Sequence, residues 1–250
     1  HNQNFLTMSS VSVILSGYRR NYSLKQQYEK IVEQSYKVKD IYFYKNDYNN
    51  NIHEFDSNTI NNCKSFVGNV NLGVWSRFAF ALNCKSKYVC IFDDDTIPGT
   101  KWIENCINTI QTHNGLLGTR GVIFNVNSGV NNPVFENYIE HGWKYPNEQT
   151  QKVDIVGHAW FFERDWLSAF WREIPADDIF FAGEDMHFSY SIQKYLGLNT
   201  YVPPHPHNDK EMWGSIPESA WSYGTDQHAT SAFAAEEMNL ISNGFKLINQ

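Results

Sequence analysis

The stretch "YVCIFDDDTIPG", Tyr88 to Gly99, runs five apolar or aromatic residues straight into three consecutive aspartates. An apolar run this short, bounded by a turn, reads as a strand buried on both faces, as in parallel sheets covered by helices. In such sheets ligands bind beyond the carboxyl ends of the strands, which is where Asp93, Asp94 and Asp95 fall. Side-chain alternation along an extended chain turns Asp93 and Asp95 to one side and Asp94 to the other. Adjacent carboxylates at a partly dry site repel, so one must hold a proton unless a cation is present. A hard divalent ion bound through one or two carboxylates, with diphosphate oxygens completing its shell, answers the repulsion. A solvated acidic turn ahead of the "TIPG" bend is the competing reading.

Outward from this stretch the chain alternates between strand and helix patterns. "VSVILSGYRR" (11–20) reads as a buried strand ending in a turn. "SLKQQYEKIVEQSY" follows as a helix, with Ser23 as candidate N-cap and apolar residues at helical spacing. "DIYFY" (40–44) is a second strand. A helix around "GVWSRFAFALN" precedes the aspartate strand, and "TKWIENCINTIQ" is a helix after it. This order predicts an α/β fold with a mostly parallel sheet flanked by helices. Beyond residue 116, "LLGTRGVIF", "VDIVGHAWFF" and "NTYVPP" read as strands and "GEDMHFSYSIQKYL" as a helix. The Pro-, Gly- and aromatic-rich text after Pro203 reads as a long ordered loop over a site. A single domain over 1–250 is expected, with a nucleotide-binding half at about 11–115 and an acceptor-binding half at about 116–250 that includes the C-terminal loop.

Composition narrows the classes. The 250 residues carry a formal net charge of −7 with no basic stripe, which argues against nucleic acid as a partner. No apolar run approaches the ~20 residues of a membrane span, and none reads as a signal peptide. Cys63, Cys84, Cys90 and Cys106 form no CxxC pair and read as core residues, so the expected location is cytoplasmic and reducing. The sequon Asn21-Tyr22-Ser23 falls in a loop near the candidate site and reads as chance.

Asp93-Asp94-Asp95 after a hydrophobic strand resembles the DxD motif of GT-A fold glycosyltransferases, and three further segments match in order. "SGYRR" is similar to the end of that fold's first strand, and "NLGVWSRFAFALN" to the helix before the DxD strand. "FAGEDMHFSYSIQKY" is similar to the Gly-Glu-Asp segment of the family 2 inverting enzymes. The resemblance covers roughly residues 11 to 210. It implies a Mn²⁺- or Mg²⁺-dependent enzyme that moves a sugar from a nucleotide-diphosphate donor of UDP or GDP type to a glycan or other hydroxyl acceptor. It assigns Tyr18, Arg20, Arg77, Asp93 and Asp94 to the nucleotide sugar, and Asp93 and Asp95 to the metal. A third metal ligand, often a histidine in that fold, would be His205. Asp185 would be the base that deprotonates the acceptor, with Glu184 orienting acceptor or donor sugar. His158, Trp213 and Trp221 are candidates for the acceptor side.

Simpler readings stand beside these. Asp185 could be a helix N-terminal acid, His158 a satisfied core histidine, and His205 part of a proline-bracketed surface loop. Arg77 lies in an otherwise apolar helix, so it must either snorkel to solvent or face an anion. "WSRF" followed by "DDDT" is also similar to the exostosin-like enzymes, which retain anomeric configuration. A sugar nucleotidyltransferase lacks support, since no Gly-rich, basic phosphate loop follows the first strand. A non-catalytic glycan-binding module would leave the carboxylates without a use.

Overall fold

A computed structural model describes residues 8–18, 20–46, 54–125, 138–174, 181–219 and 239–249. Nine strands join in one sheet with lateral order β3-β2-β1-β4-β8-β5-β9-β7, and β6 pairs with the outer part of β5. The first four are β1 (Val11–Gly17), β2 (Asp40–Lys45), β3 (Lys64–Val67) and β4 (Tyr88–Phe92). All of their pairings are parallel, as the strand–helix alternation predicts. Their connections carry α1 (Leu24–Val32), α2 (Ser57–Asn61) and α3 (Ser76–Ala81).

Beyond β4 the sheet becomes mixed. β8 (Ile155–Glu163) runs antiparallel to β4 on one side and to β5 (Gly115–Phe124) on the other. β9 (Asn199–Val202) lies parallel to β5, while β6 (Tyr138–Gly142) and β7 (Gln151–Val153) add antiparallel pairs. β8 follows β6 and β7 through short turns and not through a helix, so nothing forces it to run with β4. The break between β7 and β8 falls at Asp154, whose carboxylate accepts the backbone N–H groups of Phe124 and Ile248, each at 2.8 Å.

Every residue of β4 is buried, which accounts for its unbroken apolar run. α4 (Trp102–Thr112) covers one side through Trp102, Ile103, Cys106, Ile107 and Ile110. Around Phe78 of α3, Trp160 and Phe162 of β8, Phe170 of α5 (Leu167–Phe170) and Phe188 of α6 (Glu184–Leu196) meet with centroid separations of 4.7–6.3 Å. Burying a ring of this size contributes roughly 1.5–3 kcal/mol, so this cluster fixes α3 against the start of α6. A second core unites Val122, Phe124, Met186 and Tyr190 with Leu240, Phe245 and Leu247 of the C-terminal segment. Cys84, Cys90 and Cys106 are core residues, as expected, and Cys63 is half-buried. No helix among the described residues is long and apolar enough to cross a membrane.

Candidate active site

Pairing between β4 and β8 ends at Phe92 and Ala159, and one more contact, Asp93 N–H to the His158 carbonyl at 2.9 Å, marks where the strand stops. The chain then turns, with Thr96 N–H donating to the Asp93 carbonyl. The three aspartates therefore occupy a turn and not an extended strand, and the expected alternation fails. Arg20, just past β1, reaches both Asp94, at 2.6 Å, and Asp95, at 2.8 Å. Asp93 is taken by Arg77 instead.

This turn is held from behind by α1. Ser23 Oγ donates to the Asp94 carbonyl, and Gln27 Nε2 donates to the carbonyls of Asp93 (2.6 Å) and Thr96 (2.8 Å). Just beyond the end of α1, Gln34 donates to the Gly99 carbonyl and accepts from Ile103 N–H. Ser23 sits at the first boundary of α1, but its side chain caps no helical N–H. The expected N-cap is instead a tie to the acidic turn, and the fully buried Ser23 of the sequon is committed to that tie.

Arg77 answers the choice between solvent and anion. Its side chain is 5% exposed, lies 4.8 Å above the Trp160 ring, and bridges Asp93 and Glu184, the latter at 2.8 Å. Burial alone would lower its pKa, but Asp93 and Glu184 more than reverse that, and the guanidinium stays charged. One side chain thus joins the end of β4 to the first turn of α6. Gly183, in the left-handed conformation at φ 82°, lets the chain enter α6 so that Glu184 and Asp185 open the helix, where its dipole favours acids. Asp185 Oδ1 accepts the Met186 N–H at 2.8 Å.

The electrostatics follow from crowding. Burial, with Asp93 next in weight, pushes Asp95 up to about 6 against the pull of Arg20. Asp94 is raised by burial as well. Burial lifts Asp185 to about 6, with the Met186 N–H and Arg120 opposing and Asp93 adding to the rise. Glu184 is pushed upward by burial against Arg77. Five carboxylates thus lie near two arginines in direct contact, and the raised values of Asp94, Asp95, Glu184 and Asp185 reflect burial first and neighbouring acids second. Hard oxygen donors in that state suit a divalent cation. Among the described residues, no three His, Cys, Asp or Glu side chains converge on one position that could hold a metal ion.

His205 lies elsewhere. It is fully buried, with Nδ1 2.8 Å from the Pro203 carbonyl and Nε2 2.9 Å from Thr119 Oγ1. Burial lowers it to about 4, and with both nitrogens engaged it is a satisfied core histidine, which corrects the expectation of a metal ligand. Trp213 is also interior, 4% exposed, with Nε1 donating to the Pro206 carbonyl at 2.8 Å. It cannot stack on a sugar from there. The loop after Pro203 buttresses the "TIPG" bend: Gly99 N–H donates to the Trp213 carbonyl and Lys101 N–H to that of Glu211, each at 2.8 Å. A Cβ on Gly99 would stand 2.3 Å from the Glu211 oxygen, so the close approach requires glycine. Trp221 lies outside the described residues.

His158 is half-buried beside the acidic turn, and burial lowers it to about 4, so it is a neutral imidazole at pH 7. Tyr18 occupies the bend between β1 and Arg20. The ties from Gln27 and Gln34 escaped the sequence reading, although both share the spacing of Leu24 and Ile31 in the helix expected from the sequence. A polar residue on a buried stripe is the signal that finds them.

No curated protein matches the sequence. The family profile described as Glycosyl transferase family 2 matches residues 12–171, from β1 through the aspartate turn and β8 to the end of α5. That span is well over half of the chain and contains Arg20, Arg77 and the three aspartates, while Glu184 and Asp185 follow it. With its GT-A type α/β sheet, the chain belongs to glycosyl transferase family 2 and is a glycosyltransferase.

Proposed function

We propose that the protein transfers a sugar from a nucleotide-diphosphate donor of UDP or GDP type to a hydroxyl acceptor, with a divalent metal and with inversion. The observation that carries this reading is the Arg77 bridge between Asp93 and Glu184, which brings the acidic turn and the Glu184-Asp185 pair into one site. Tyr18 and Arg20 stand at the end of β1, where a nucleotide would lie against the sheet edge. Asp93 and Asp95 would hold Mn²⁺ or Mg²⁺, with diphosphate oxygens completing the shell, and Asp94 would face the donor sugar. When bound, the ion would stabilise charge on the departing diphosphate.

The side chains do the rest. Arg20 is a partly exposed charged donor already fixed at the turn and would bond the diphosphate as negative charge grows on it, while Arg77, buried between Asp93 and Glu184, would hold those carboxylates in place. Asp185 takes the proton of the attacking acceptor hydroxyl. A base is most effective when its pKa lies near the working pH, and a value raised to about 6 brings Asp185 into that range. Glu184, held by Arg77, orients the sugar beside it.

The test is a thermal-shift series with UDP, GDP, CDP and dTDP, each with and without Mn²⁺. Stabilisation that requires both one nucleoside diphosphate and the metal is expected. If no nucleotide raises the melting temperature under either condition, the reading fails.

A further inference from the structure

Next to Asp185 stands a group of side chains that the transfer chemistry leaves unused. Arg120 of β5 pairs with Glu140 of β6 at 2.7 Å, and its charge is felt at Asp185. Opposite Arg120 in the sheet register is Gly157 of β8. A Cβ on Gly157 would meet only Asp185 Oδ2, at 3.8 Å, so the sheet opens onto the carboxylate with no side chain between them. The next residue, His158, and Trp143, just past β6, both adopt left-handed backbone conformations, at φ 66° and 46°. Their rings touch, with centroids 4.7 Å apart. For residues this large such a conformation is strained and persists only where the surroundings over-determine it, which happens at ligand clamps. Trp143 is further pinned by Lys144, whose ammonium lies 4.2 Å from the ring centre. Yet its indole N–H is shielded from solvent and has no hydrogen-bond partner among the described residues. A buried donor left in that state is costly.

Together these groups offer an N–H donor, a guanidinium–carboxylate pair able to donate and accept, an aromatic wall, and a gap leading to Asp185. We propose that Arg120, Glu140, Trp143 and His158 form a subsite for the ring of a sugar acceptor, whose reacting hydroxyl meets Asp185 across Gly157. The orientation rests on the glycosyl-transfer reading; the recognition of a polyhydroxylated ring does not. The indole N–H donates to one ring hydroxyl, Glu140 accepts from another, and the mixed donors and acceptors suit a neutral polyol.

Saturation-transfer difference NMR with p-nitrophenyl glycosides of glucose, galactose, mannose and N-acetylglucosamine, in the presence of diamagnetic Mg²⁺ with UDP or GDP, tests this. The wild-type protein should bind at least one glycoside. Trp143→Asn, which tolerates a left-handed backbone, and Glu140→Gln should each weaken that binding about tenfold. Both variants should keep the metal-dependent nucleotide thermal shift. No glycoside binding by the wild type, or undiminished binding by both variants, overturns the subsite. Glycoside binding that needs Trp143 in a protein showing no nucleotide shift would support the subsite and overturn the transfer reading alone.

Discussion

Asp185→Asn separates the site's chemistry from its cost. Asparagine has the shape of the carboxylate and its Oδ1 can still accept the Met186 N–H, so packing is preserved. What changes is the charge. Burial, the main cause, raises Asp185 from 3.8 to about 6, a difference of roughly 2 pH units. At about 1.36 kcal/mol per unit this is at most about 3 kcal/mol, and some 2 kcal/mol once partial solvent access is allowed for. The sign follows from linkage. A carboxyl whose pKa is higher in the folded state favours folding only while protonated, so its ionisation costs stability as pH rises from about 4 through about 6. Asparagine avoids that cost. Urea denaturation at pH 7.5 should therefore find Asp185→Asn more stable than wild type by about 2 kcal/mol, and at pH 4 the difference should vanish. In parallel the variant should lose transfer, and the wild-type rate should climb with pH through about 6 as the base ionises. A variant no more stable than wild type at pH 7.5, or an advantage independent of pH, would refute the burial argument.

Asp95→Ala should abolish the Mn²⁺-dependent part of the nucleotide thermal shift; a full shift in this variant would remove Asp95 from the metal. Arg77→Met strands Asp93 and Glu184 without their shared cation and should cost about 3–5 kcal/mol in urea denaturation. Adding Glu184→Gln should recover part of that loss, and a cost below about 1 kcal/mol would mean that the bridge behaves like a surface pair. Gly99→Ala drives a methyl against the Glu211 carbonyl and should lower stability by about 1–3 kcal/mol, seen as a drop in melting temperature; an unchanged melting temperature would contradict the close approach.

The strands buried on both faces were legible because burial writes itself as an unbroken apolar run: β1 and β4 stand out at once. β3 does not, since Lys64–Val67 is an exposed edge strand whose residues carry no core signal. The mixed half of the sheet was also hidden, because the direction of β8 depends on which strands it joins and not on its own composition. At the site, three aspartates after a buried strand and an arginine in an apolar helix announced themselves locally. His205 misled for the opposite reason. Prolines on either side suggested an exposed loop, while its partner Thr119 lies 86 residues earlier on β5, beyond the reach of any local pattern. Trp213 is a similar case, drawn inward by backbone contacts with Gly99. Arg120 and Trp143 were overlooked because their meaning lies in what the sheet register and backbone conformation place around them.

The ties that Ser23, Gln27 and Gln34 make to the aspartate loop are all from neutral donors to backbone carbonyls. Neither pH nor salt switches such bonds off, so this part of the loop's anchoring, unlike the Arg20 and Arg77 pairs, does not depend on the charge it carries. The carboxylates can gain and lose protons while these backbone anchor points stay still. The cost of arranging these carbonyls is met in folding, before any ligand arrives.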